Sequence, residues 1–225
     1  MYTDLTPTRI AALKGPSFQF LSRAILLALT FLPIPAMAIE EPAYSVRLKD
    51  DAFEVRTYGE RVIAETLVEG SLSEASNAGF RKVAGYIFGA NRTRAGTKAE
   101  IAMTAPVMVS RSEKIAMTAP VMTHAAAQGY RLSFVMPAKY HLDTLPVPLD
   151  PAVTLRVLPA AAYAVLRFSG TCNERKVADR TADLTAWIAR RGLTVRGEPS
   201  LARYDPPWQL PFLRRNEILI AVDPP

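Results

Sequence analysis

Apolar and polar residues alternate with period two through Phe53-Glu54-Val55-Arg56-Thr57-Tyr58. They do so again one hundred residues on, through Val153-Thr154-Leu155-Arg156-Val157-Leu158, with Arg56 over Arg156. A turn residue follows each segment, Gly59 or Pro159. A second apolar run comes next, 62–68 or 162–168, and closes on Gly70 or Gly170. This pattern predicts two β-hairpins. After each pair the period lengthens to that of a helix. In 73–89, Phe80, Val83, Ala84 and Ile87 fall at i, i+3, i+4 and i+7, with Ser73 as the expected N-cap and Glu74 in the first turn. In the second copy Val177, Leu184, Trp187 and Ile188 form the stripe, and Gly192 is the expected stop. Further strands are expected over 101–108, 115–122 and 130–136 in the first copy. In the second they are expected over 193–196, 200–204 and 216–222.

Two such units sharing one core predict an α+β domain. It would be a distorted antiparallel β-barrel of two repeated strand-strand-helix-strand units, with two helices packed on it. The repeats run about 44–136 and 152–222, joined by a proline-rich surface connection over 137–151. The domain itself is expected to span 39–225. Residues 1–38 have the pattern of a secretory signal peptide. Arg9, Lys14 and Arg23 precede the apolar run 24–32, and Pro33, Pro35 and the small-residue site Ala36-Met37-Ala38 follow it. That predicts an exported, periplasmic protein with no stable membrane span after cleavage. The alternative is an uncleaved N-terminal anchor, although the apolar run is shorter than the roughly 20 residues a span needs.

Composition narrows the chemistry. The chain has 225 residues, 49% hydrophobic and 21% charged, with a formal charge of +6. Its bases are scattered rather than gathered into a stripe with aromatics, so no nucleic-acid partner is expected. Cys172 is the only cysteine, which excludes an intramolecular disulfide and CxxC-type metal sites. The two histidines are His124 and His141. A poly-His metal site is therefore not expected.

Two stretches carry more specific information. Ile101-Ala-Met-Thr-Ala-Pro-Val-Met108 recurs verbatim at 115–122, and the two copies are expected to pair as strands of a hairpin. Pro106 and Pro120 should then lie at an edge, a bulge or the start of a strand. The methionines would give either ordinary core packing or a pliable wall beside a flat ligand. The second stretch, 204–217, stiffens a loop with prolines and presents Tyr204, Trp208 and Phe212 beside Arg214 and Arg215. It suits a flat apolar ligand with carboxylate arms, or else a structural loop whose arginines pair with Asp205 and Glu217.

These residues together resemble the SOUL haem-binding family. The resemblance is carried by Phe53-Glu-Val-Arg-Thr-Tyr58, Tyr86-Ile87 with Gly89 and Asn91, and the doubled Met-Thr-Ala-Pro-Val. Arg167-Phe-Ser-Gly170, Tyr204-Asp-Pro-Pro-Trp208 and Arg214-Arg-Asn-Glu217 complete it. It implies non-covalent binding of haem or another porphyrin in an apolar cleft between the first helix and the Tyr-Asp-Pro-Pro loop. Asn77, Phe80, Val83, Ala84 and Ile87 would form the helix wall. Tyr204, Trp208, Leu210 and Phe212 would form the loop wall, with Arg214 and Arg215 near the propionates. His124 is the candidate axial ligand, although the resemblance fits haem held mainly by apolar burial. No nucleophile elbow, zinc-protease motif or phosphate loop is present, so no catalytic residue is assigned. The expected role is carrier, buffer or sensor. The alternatives are an effector- or protein-binding domain without haem, and an enzyme acting on a tetrapyrrole.

Overall fold

The structure, a computed structural model, describes residues 39–111, 129–206 and 208–224. The candidate signal segment, the second octapeptide and His124 lie outside these residues. In chain order the elements are β1 (Tyr44–Asp50), β2 (Phe53–Tyr58), β3 (Arg61–Glu69), α1 (Leu72–Ile87), β4 (Asn91–Arg92), β5 (Val107–Arg111) and β6 (Gly129–Val135). There follow β7 (Val147–Pro148), β8 (Val153–Leu158), β9 (Ala161–Phe168), α2 (Glu174–Arg190), β10 (Ser200–Arg203) and β11 (Asn216–Val222). Nine strands form one antiparallel sheet, in the order β1-β2-β9-β11-β10-β5-β6-β3-β8. The expected α+β class and its two helices are both present. The order also reads as a duplication, because strands of the two copies mirror each other about the β10–β5 pair.

The pairing differs from two hairpins. β2 pairs with β9, and β3 pairs with β8, so each copy lends its first strand to the other. Alternation fixes which side chains share a face but not which strand lies alongside. The exchange explains the curl. Only Gly59 and Glu60 link β2 to β3, a reach of about 10 Å, yet these strands stand second and eighth in the sheet. The ends of the sheet must therefore bend towards each other, which gives an open half-barrel.

The helices pack on the outer face. α1 begins two residues earlier than expected, because Ser71 and Glu74 form a capping box: the Glu74 amide donates to Ser71 Oγ at 3.4 Å and the Ser71 amide to Glu74 Oε2 at 3.0 Å. Asn173 caps α2, and Gly192, with φ of 65°, ends it where expected. The outer core is built from alternate strand residues such as Val55, Ala64, Leu132, Phe134 and Ile218 with Val83 and Ile87 of α1 and Leu184 and Ile188 of α2. Gly79 lets α1 approach β6. A Cβ there would lie 2.9 Å from Leu132 Cβ. Gly79→Ala is expected to cost about 1–3 kcal/mol from overpacking, outweighing the roughly 1 kcal/mol that alanine gains in a helix. Urea denaturation reads the sign, and net stabilisation would mean that the helix moves freely.

The first octapeptide is only partly a strand. Residues 101–106 are irregular, and Val107 begins β5. Pro106 has no N–H to give a ladder, so pairing starts after it. Of the strand expected over 193–196, only an isolated bridge from Val195 to Val222 forms.

Candidate functional site

The connection from β10 to β11 is held at its base by a buried charge cluster. Glu217 is 0% exposed. It accepts from Arg56 Nη1 at 2.8 Å and Nη2 at 3.2 Å, from Arg215 Nε at 3.0 Å and from Tyr204 Oη at 2.7 Å. The Arg215 guanidinium also lies 3.7 Å above the Tyr204 ring and donates to Glu41 Oε2 at 2.9 Å. Burial opposes the charge on Arg56, but Glu217 outweighs it and raises the pKa above the usual arginine value. Burial, reinforced by Glu217, also raises the pKa of Tyr204, so its hydroxyl remains a donor. Arg215 N–H donates to Asp205 Oδ2, and Gly170 N–H to Pro211 O at 2.9 Å. The loop is thus pinned at both ends and along its length.

A stiff loop so anchored exposes its large side chains. Trp208 is 82% exposed and Phe212 69%, and Leu210 and Leu213 are also exposed. Arg214 Nε donates to Gln209 O at 2.8 Å. Of the expected loop wall, Trp208, Leu210 and Phe212 are each exposed, whereas Tyr204 is folded back into the cluster. Of the expected helix wall, Val83, Ala84 and Ile87 are buried, and only Asn77 and Phe80 are exposed. The apolar stripe of an amphipathic helix faces its own sheet, which is where α1 buries it. Phe80 stands at the margin, its ring 5.5 Å from that of Phe134. The loop packs instead near Ala52, Arg167 and Ser169, around the end of β9.

Sequence reasoning missed the inner face of the half-barrel. There a cavity of about 550 Å³ is ringed by residues of eight strands, among them Tyr58, Ile63, Met108, Ser133, Tyr163 and Leu219. Its wall holds a second clamped carboxylate. Glu65 accepts from Arg131 Nη1 at 2.6 Å and from Arg156 Nη2 at 3.0 Å. The visible signal was the recurrence of Arg56 as Arg156, which marks the polar phase of both copies. A second cavity of about 680 Å³ lies outside, between α2 and strands β5 and β10. His141 is exposed. Among the described residues no cluster of three or more His, Cys, Asp or Glu side chains could hold a metal ion. Nor is any helix among them long and apolar enough to cross a membrane.

Comparison with solved structures places this architecture among known folds. The C-terminal domain of EcmrR is similar with a TM-score of 0.54 and 12% identity, over 80% of this chain and 98% of that one. An uncharacterised conserved protein from Listeria innocua reaches 0.55 at 10% identity, over 76% and 92%. A hydrolase from the same organism reaches 0.51 at 10% identity, over 79% and 94%. At these identities the likeness is one of fold. Comparison with curated protein sequences gives no significant match. The profile of the SOUL heme-binding protein family matches residues 39–113 and again 110–221, so both halves of the duplicated sheet are covered, and the chain belongs to that family.

Proposed function

We propose that this protein binds haem or a related tetrapyrrole non-covalently, as an exported, periplasmic carrier, buffer or sensor. The macrocycle lies against the exposed Trp208, Leu210 and Phe212, and the exposed side of α1 at Asn77 and Phe80 is the candidate second wall. The observation that carries the reading is the pinned loop: large apolar side chains are held in solvent by a buried ionic anchor instead of collapsing onto the core. A rigid apolar surface binds a flat ligand without an ordering penalty on the protein side.

The residues fit the group through its macrocycle. They offer apolar area, and Arg214 stands beside Phe212 as the candidate for a propionate. Arg215 fits less well, since its guanidinium is already shared between Glu217 and Glu41. No axial ligand is assigned; the candidate, His124, lies outside the described residues. Bound haem would supply the iron chemistry; the chain's part is to bury and orient it.

Phe80→Asp places a carboxylate on the proposed helix side, and haemin affinity is expected to fall about tenfold or more, equivalent to about 1.4 kcal/mol. Absorbance titration of the purified protein reads this. Unchanged affinity would move the ligand off α1.

A further inference from the structure

The inner cavity of the half-barrel is a site in its own right. Among the described residues its charged lining is four arginines, Arg61, Arg111, Arg131 and Arg156, against two glutamates, Glu65 and Glu198. The lining therefore carries a formal excess of two positive charges. Glu65 is satisfied by Arg131 and Arg156 together, and one carboxylate cannot neutralise two guanidiniums. Both arginines still reach open space, their side chains being 34% and 48% exposed. Arg131 spends only Nη1 on Glu65, which leaves part of its donor fork turned to the cavity. Arg61 has no carboxylate partner among the described residues. Its Nη1 donates to Gly59 O at 3.2 Å, and its guanidinium lies 4.7 Å from the Tyr58 ring centroid and 5.4 Å from that of Tyr163.

The rest of the wall is apolar or aromatic. Ile63, Val135 and Leu219 are buried in its floor, and the rings of Tyr58 and Tyr163 meet edge to face at one end, 5.7 Å apart. At about 550 Å³ the cavity is the size of ordinary small-molecule pockets, roughly 300–1,000 Å³. Uncompensated positive charge within a low-dielectric concavity focuses the potential inside it. Guanidinium forks match the planar oxygens of a carboxylate, and they serve a sulfonate comparably. We propose that this cavity binds a small amphipathic organic anion, an aromatic carboxylate or sulfonate. Its ring rests beside Arg61 at the Tyr58–Tyr163 end, and its anionic group meets Arg131 and Arg156, which converge on Glu65. The site is separate from the loop surface and does not depend on the tetrapyrrole reading; Tyr204, folded back from the loop, stands in the cavity wall.

The test is isothermal titration of the purified protein with naphthalene-2-sulfonate and, in parallel, with the cation 2-naphthylmethylammonium. The sulfonate is expected to bind one to one, with the cation about tenfold weaker or more, because like charge in the cavity repels it. Arg61→Gln and Arg111→Gln should each weaken the sulfonate about fivefold while leaving haemin affinity unchanged. Arg111 is exposed at the rim, so its variant keeps the test available if Arg61→Gln disturbs folding. Equal affinity for anion and cation, no sulfonate binding, or no effect of either arginine would overturn the proposal. Displacement of the sulfonate by one equivalent of haemin would also overturn it, by assigning the cavity to the tetrapyrrole.

Discussion

Glu217→Ala is expected to destabilise the protein by about 3–5 kcal/mol, the usual cost of breaking a buried ion pair from one side. The carboxylate is 0% exposed, and Arg56, 3% exposed, gives it both Nη groups while its Nε pairs with Glu54. Removing the Glu217 carboxylate leaves the buried Arg56 guanidinium with Glu54, 2.7 Å from Nε, as its one remaining carboxylate partner among the described residues, and leaves Tyr204 Oη and Arg215 Nε without an acceptor. The double change Arg56→Met, Glu217→Leu should lose considerably less, because no isolated charge then remains buried. Urea denaturation of the three proteins decides. A loss below about 1 kcal/mol in Glu217→Ala would mean that the cluster is a solvated surface pair. The same variant should loosen the β10–β11 loop, since two of its tethers end on Glu217.

Trp208→Ser with Phe212→Ser should have the opposite profile: little effect on stability and a large effect on the ligand. Both side chains stand mostly in solvent and support little of the fold, so stability should change by about 0.5 kcal/mol or less. Covering each ring by a flat macrocycle gives roughly half the 1.5–3 kcal/mol of full burial. Losing both should therefore lower haemin affinity on the order of 100-fold. Unchanged haemin affinity in a stable double variant would remove the loop from the site.

How much of this was legible in the sequence depended on what its periodicities encode. Period two placed Val55, Ala64, Ile218 and their neighbours on one face, and that face is the outer core. The helical stripes located both helices, and Gly192 ended α2 as expected. Partner choice was hidden. Gly59 and Pro159 look like hairpin turns, but they link strands at opposite ends of a curled sheet, and the strand exchange rests on long-range pairing that no local pattern carries. The N-cap was readable in Ser71-x-x-Glu74 but was placed at Ser73.

The candidate site was legible in its loop and less so in its helix. Prolines and aromatics in one short stretch are a local signal, and Trp208, Leu210 and Phe212 project as such a stretch suggests. On α1 one apolar stripe cannot serve both as the packing face and as an open wall, and Val83, Ala84 and Ile87 went to packing. The inner cavity is assembled from single residues on eight strands. Its only trace in the sequence was the matched pair of Arg56 and Arg156.

The central claim, a tetrapyrrole on the pinned loop, is tested most directly by haemin titration of a Trp187→Phe protein. Trp187 is buried, its indole N–H bonded to Asp50 and its ring stacked on Phe53, and replacing it leaves Trp208 as the sole tryptophan reporter. The account predicts saturable one-to-one binding by absorbance together with strong quenching of Trp208. Non-saturating, detergent-sensitive association, or tight binding with Trp208 emission unchanged, would contradict it.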